Sequence, residues 1–135
     1  MTRLDTFLAV VRACVGTPVR HRGRVPGRGL DCVGVPIVAL AACGVMVPEP
    51  PPYGSVPSPS ELRAGLLRIG AQVPIPERRP GDVLVMFWRG EPAHVGVLVE
   101  DDLVVHARAR TGVVAMERLG RGHRLAECWR LTEVR

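Results

Sequence analysis

The chain has 135 residues, enough for one domain of the commonest size and too few for two independent cores. Apolar residues make up 47% and charged residues 23%, the balance of a folded chain, and no apolar run approaches the roughly 20 residues that span a bilayer. Eighteen basic residues, every one an arginine, against 13 acids give a net charge of +5, which favours anionic partners. The lack of Lys and Asn points to a GC-rich genome more than to a chemical requirement. Four arginines fall within Arg20–Arg28, but glycines and Pro26 break them up and no aromatic lies among them to stack on a base, so specific nucleic-acid binding is not expected. The only apolar stretch near the N-terminus, Phe7–Val11, follows Asp5; a cleaved export signal is not expected either.

In chain order, Thr2–Val15 places Leu4, Phe7, Leu8, Val11 and Cys14 or Val15 on one face at helical spacing, with Gly16 and Pro18 as stops. Arg20–Gly29 reads as loop. Cys32–Cys43 is almost wholly apolar and runs into Gly44, a buried helix in which Pro36 must fall in the first turn. Val47–Ser60 holds six prolines in fourteen residues and reads as an extended connection, long enough to suggest a functional loop. A short helix follows: Ser58 caps it, Pro59 fits its first position, Glu61 completes a capping box, Leu62, Leu66 and Ile69 form its buried stripe, and Gly70 ends it. From Pro80 the pattern becomes short Val-rich strands, Val83–Phe87, His94–Val99, Leu103–Ala107, Gly112–Glu117 and Glu127–Leu131, with Cys128 and Trp129 as core of the last. Helices first and an antiparallel meander after them make an α+β domain over residues 1–135.

The four cysteines, Cys14, Cys32, Cys43 and Cys128, form no CxxC pair, so neither a zinc knuckle nor a disulfide framework is expected, and no metal or cofactor is implied. Cys32 differs from the rest. It opens the buried helix, where the positive helix end and arginine-rich surroundings lower a thiol pKa and free N–H groups can hold an oxyanion, with Asp31 or its neighbour as cap. Position alone leaves open that it is one more buried thiol. Cys43, about three turns and roughly 16 Å further along, is out of reach as a resolving thiol. Of the histidines, His94 starts one strand and His106 ends the next. A two-residue Asp101–Asp102 turn places them on opposite faces; an odd loop or a bulge places both on one face, roughly 7–8 Å apart between backbones, with Gly96 opposite His106 leaving it room. The latter is expected. Without Asn, a third catalytic member has to be His106, an acid, or Gln72.

Gly16-Thr17-Pro18, Gly29-Leu30-Asp31-Cys32-Val33-Gly34, Pro80-Gly81-Asp82-Val83-Leu84, His94-Val95-Gly96-Val97 and Val105-His106-Ala107 follow one another in order. Together these blocks resemble the NlpC-type family of papain-like cysteine peptidases, which cut the peptide stems of bacterial cell wall, and the resemblance spans Gly16 to about Glu117. The loop Arg20–Gly29 and the segment around Tyr53 look most like phage and gene-transfer-particle tail-associated members.

The resemblance implies a papain-like fold, with Cys32 as nucleophile, His94 as general base and His106 orienting His94; Asp31 and Tyr53 are candidates for substrate binding. The implied reaction is thiolate attack on the D-glutamyl–diamino acid amide, an acyl-enzyme and hydrolysis. The implied partners are the peptidoglycan stem peptide and tail-tip or hub proteins, without membrane insertion, and the implied location is a virion tail that delivers the enzyme to the envelope. The alternatives are a structural tail-tip protein with little or no catalysis, and an amidase or acyltransferase using the same residues. The chain departs from the family pattern at Val19, where Tyr is frequent, at Val33, where Ser is frequent, and at Pro36, where an aliphatic residue is usual. His21 and His123 match nothing catalytic and are expected at the solvated surface.

Overall fold

The computed structural model describes residues 1–120 and 122–134. Helix α1 covers Arg3–Ala13 and opens with a reciprocal capping box, in which Thr2 Oγ1 accepts from the Asp5 backbone N–H at 3.0 Å and Asp5 returns the bond to Thr2 N. Helix α2 covers Gly34–Ala42, two residues later than the apolar run alone suggests, and Pro36 is its third residue, where no intrahelical N–H bond is lost. Helix α3, Pro59–Ile69, carries the expected Ser58/Glu61 box and buries Leu62 and Leu66. Phe7, Val11 and Cys14 of α1, Val35, Ala39 and Leu40 of α2 and the stripe of α3 share one core with the strand residues Val83, Val85, Val95, Val97, Val105, Trp129 and Leu131. Among the described residues no helix is long and apolar enough to cross a membrane.

Two corrections concern connectivity. Arg20–Gly29 is not featureless: β1 (Arg24–Val25) and β2 (Gly29–Leu30) form a small antiparallel hairpin. The main sheet has six antiparallel strands, and β3 (Gly70–Val73) was not expected; Gly70 leaves α3 in an extended conformation and starts the strand directly. The others are β4 (Val83–Trp88), β5 (Glu91–Glu100), β6 (Leu103–Arg108), β7 (Val113–Arg118) and β8 (Leu125–Leu131). They lie in the order β3-β8-β4-β5-β6-β7, so the meander covers β4 to β7 only and β8 returns to insert beside β4. Apolar side chains on the second sheet face, Leu84, Met86, Leu98, Val104 and Cys128, form a smaller core away from the helices.

Three bulges bend this sheet. Between β4 and β5, Met86 pairs with His94 and Phe87 with Pro92, leaving Ala93 as an extra residue beside His94. Between β5 and β6, Leu98 pairs with Val104 and Glu100 with Leu103, leaving Val99. Between β4 and β8, Val85 pairs with Glu127 and Met86 with Leu125, leaving Ala126. The Val99 bulge accompanies a two-residue turn with Asp102 at positive φ, and the register it sets, Val97 against Val105, brings Gly96 opposite His106 as expected. The Gly81–Asp82 pair starts β4: Gly81 N donates to Leu98 O, Leu98 N donates to Asp82 O, and the fully buried Asp82 carboxylate takes a bidentate bond from Arg130.

Candidate active site

The segment after α1 carries the first part of the site. Gly16–Val19 hydrogen-bonds along β7, and on its other side Pro18 O accepts from Leu30 N, while Arg20 N donates to Leu30 O. This sewing fixes the turn Asp31–Val33 between β2 and α2, where Cys32 lies. Asp31 holds that turn from inside. Its buried carboxylate accepts from Gly34 N at 2.9 Å, Arg22 N at 3.0 Å, Arg24 Nη1 at 2.7 Å and the Tyr53 hydroxyl. Arg24 also donates to Tyr53 and to Glu49, which ties the proline-rich connection to the turn that carries Cys32. Asp31 therefore caps α2 through its first N–H, and all of its bonding capacity is engaged within the chain. Tyr53 packs against the core and is not among the residues lining the cavity of Cys32.

Cys32, His94 and His106 line one cavity of about 410 Å³ together with Val19, Met86, Trp88 and Glu117. Cys32 is only 4% exposed. Contrary to the lowering expected at a helix end, burial and then the Asp31 charge push its thiol up to about 12, against hydrogen bonds from the backbone of Val95 and Val33 and the charge of Arg24. Val95 follows His94, so the sulfur stands beside the backbone of the histidine strand. His94 Nε2 and His106 Nδ1 are 2.9 Å apart, and His106 Nε2 is 2.9 Å from Glu117 Oε1.

This chain of contacts fixes the tautomers. An ionised carboxylate only accepts, so His106 carries its proton on Nε2 and offers Nδ1 as acceptor; His94 then carries its proton on Nε2 and keeps its lone pair on Nδ1. Burial, then the neighbouring His106 and His123, lower His94 to about 4, so its resting imidazole is neutral. Burial lowers His106 as well, against the pull of Glu117. Burial works to raise Glu117, but the bond from His106 and the neighbouring positive groups hold it below the usual carboxylate range. The cavity thus holds a neutral thiol and a neutral His94 imidazole, with an ionised Glu117 at the end of the histidine contacts.

Glu117 had been visible only as a strand end. It joins because β6 and β7 pair His106 with Ala115, which puts Glu117 two residues along on the same face. His123, expected in solvent, is half-buried in the turn before β8, with Nε2 3.6 Å from Glu117 Oε2 and its ring 6.0 Å from that of His106. His21 is exposed and stacks edge-on against Tyr53. Arg108, Arg110 and Arg124 complete the cavity wall. Of the departures, Val19 lines this cavity, Val33 is buried, and Pro36 lines a separate apolar cavity between α2 and α3. Cys14 and Cys128 are buried and Cys43 half-buried; all four thiols are free.

Solved structures share this fold. The peptidoglycan hydrolase RipB of Mycobacterium tuberculosis matches 95% of this chain at a TM-score of 0.70 and 19% identity, and the chain spans 64% of it. NlpC2 of Trichomonas vaginalis matches 96% at a TM-score of 0.74 and 15% identity, with 46% of its own length covered. RipD of M. tuberculosis, described as a non-catalytic NlpC/p60 domain protein adapted to peptidoglycan binding, matches 96% at 0.66 and 18%, with 98% of its length covered. At these identities the likeness concerns the fold, which is α+β and papain-like. No curated protein matches in sequence. The sequence pattern of the NlpC/P60 family, however, matches residues 16–131, a stretch that holds Cys32, His94 and His106. The chain belongs to the NlpC/P60 family.

Proposed function

We propose that the protein is a cysteine endopeptidase that cuts the stem peptide of bacterial peptidoglycan. The observation that carries this reading is the relay from His94 through His106 to Glu117 in the cavity that Cys32 lines. With its proton on Nε2, His94 presents Nδ1 to take the Cys32 proton as sulfur attacks the amide carbonyl. The imidazolium so formed is stabilised through His106 by Glu117, and it protonates the leaving amine. Water, deprotonated by His94 in turn, hydrolyses the thioester and restores the thiol. Because the thiol rests neutral, proton transfer accompanies attack. The positive end of α2, beside which Cys32 lies, would stabilise the oxyanion.

Three arginines against two acids, both already engaged, give the cavity a positive wall suited to the carboxylates of a stem peptide. Within this reading the scissile bond is the D-glutamyl–diamino acid amide. The likeness of the Arg20–Gly29 loop and the Tyr53 segment to tail-associated members supports a place in a virion tail, with tail-tip proteins as partners. The burial of Cys32 favours one rival, a structural or wall-binding role with little turnover, of the kind described for RipD. Incubating wild type and Cys32→Ala with sacculi and identifying released fragments by mass spectrometry separates the two. New amino groups at the stem diamino acid, absent with Cys32→Ala, are the expected result; no release by wild type with Cys32 reduced overturns the peptidase reading. The virion location is checked by whether purified particles contain the protein.

A further inference from the structure

We propose that His106, Glu117 and His123 form a zinc site that switches the catalytic histidine off. One ligand atom from each lies within 4.8 Å of the others; His106 Nε2 is 2.9 Å from Glu117 Oε1 and His123 Nε2 is 3.6 Å from Oε2 of the same carboxylate. Tetrahedral zinc with N and O ligands at roughly 2.0–2.2 Å sets neighbouring ligands about 3.3 Å apart, between those two values. Two imidazoles and one carboxylate are a donor set suited to zinc, and all three residues line the cavity, from which water could supply a fourth ligand.

Two of the three residues come from the paired strands β6 and β7, and His123 comes from the segment just before β8. Binding replaces the 2.9 Å bond from His106 Nε2 to Glu117 by coordination of both groups to the metal, and it releases two weaker contacts besides. Arg108, whose side chain is 36% exposed, gives up its 3.3 Å contact with Glu117 and turns to solvent. Gly120 N, exposed in its turn, exchanges its 3.2 Å bond to His123 Nδ1 for water. These losses and the nearby arginines set the expected affinity in the micromolar range rather than tighter.

The functional consequence follows from proton positions and rests on the reading of His94 as base. Zinc on His106 Nε2 leaves Nδ1 as the only nitrogen for the ring proton. His106 Nδ1 then donates to His94 Nε2, and the His94 proton must sit on Nδ1, the nitrogen that has to accept from Cys32. Each ring keeps one proton, no net charge moves onto the imidazoles, and both tautomers are reversed. The metal silences the base without touching the sulfur.

The binding test uses zinc itself, titrated calorimetrically into Cys32→Ala so that the nucleophile cannot contribute a ligand. One zinc with micromolar Kd, weakened at least tenfold by adding His123→Ala or Glu117→Gln, is expected; thermal unfolding of the metal-free proteins checks that each variant is folded. No binding to Cys32→Ala, or an affinity indifferent to both substitutions, overturns the site. In sacculus hydrolysis, zinc should inhibit the wild type reversibly on chelation, and His123→Ala should need at least tenfold more zinc relative to its own metal-free rate. Undiminished inhibition of His123→Ala places the metal on Cys32 and His94 and overturns the switch. A wild type that hydrolyses nothing defeats the peptidase reading alone, because calorimetry still decides the site.

Discussion

A single methyl group at position 96 tests how far the sheet itself holds the two imidazoles in place. A Cβ on Gly96 falls 2.6 Å from Val104 Cγ2, 2.9 Å from Met86 Cε and 3.2 Å from His106 Cβ. Carbon atoms rest at roughly 3.5–4.0 Å, so the Val104 methyl has to yield by about 1 Å. Met86 can swing its terminal methyl aside. Val104 cannot follow suit: it is fully buried, branched at Cβ and packed in the second core. The strands must part instead, and His106, next but one to Val104 on the same face, moves with them. Overpacking of this kind costs about 1–3 kcal/mol, which in a chain of this length lowers Tm by roughly 3–15 °C. A shift of a few tenths of an ångström lengthens the 2.9 Å bond between the histidines. If 1 Å of misplacement costs about a hundredfold, kcat for Gly96→Ala falls by about 3–10-fold. Thermal unfolding and fragment release from sacculi on the same preparation measure both effects. A Gly96→Ala protein that melts and turns over like wild type refutes the claim that this glycine sets the position of His106.

Glu117→Gln removes the charge at the end of the relay while keeping an acceptor; with a charge-assisted bond worth about 1.5–3 kcal/mol, kcat should fall about 10–100-fold with KM little changed in steady-state kinetics. Asp31→Ala leaves Arg24 with Glu49 as its remaining anion and strips the acceptor from Gly34 N, Arg22 N and the Tyr53 hydroxyl, and denaturant unfolding should show a loss of about 3–5 kcal/mol; Tyr53→Phe, which removes one hydroxyl from that network, should lose about 1 kcal/mol. Burial works to raise the Asp82 carboxyl, but its bonds from Arg130 and Arg79 N hold it below its ordinary 3.8. Its folded pKa is depressed, so its contribution is complete above 3.8 and is lost as pH falls below that value. Asp82→Asn should therefore be less stable than wild type at neutral pH and lose less stability on acidification below about pH 4, read from unfolding midpoints across pH.

Local signals carried most of the fold. Ser58-Pro59 followed by Glu61 marks α3 because capping needs only near neighbours, and short Val-rich runs between turn residues mark the strands from β4 on, whose central members are buried on both faces. β3 escaped notice because Gly70-Ala71-Gln72-Val73 has little strand preference; its pairing with β8, some sixty residues away, makes it a strand. His94 and His106 can share a face across a two-residue turn only if the β5–β6 hairpin is irregular, and the Val99 bulge is that irregularity. Glu117 and His123 depend on the β6–β7 register and on a turn, neither of which spacing reveals. The one usable signal was that an acid an even number of residues from the strand partner of His106 falls on the face of His106. The helix end that favours a low thiol pKa is local, whereas the burial that outweighs it at Cys32 comes from the whole core.

The segment Gly16–Val19 has a consequence for self-association. An edge strand offers a row of unpaired backbone groups to any similar edge it meets. Along β7, Val114 N donates to Thr17 O, Gly16 N donates to Val114 O, and Val19 N donates to Gly112 O, so the first part of that edge is already occupied. Beyond it lie Glu117 and Arg118, charges that oppose stacking of like edges. At the far side of the sheet β3 is four residues long and begins with glycine, too short to template a long pairing. The segment that aligns the Cys32 turn thus also closes much of one sheet edge, so a substitution that frees Gly16–Val19 from β7 exposes the protein to edge-to-edge aggregation as well as misplacing Cys32.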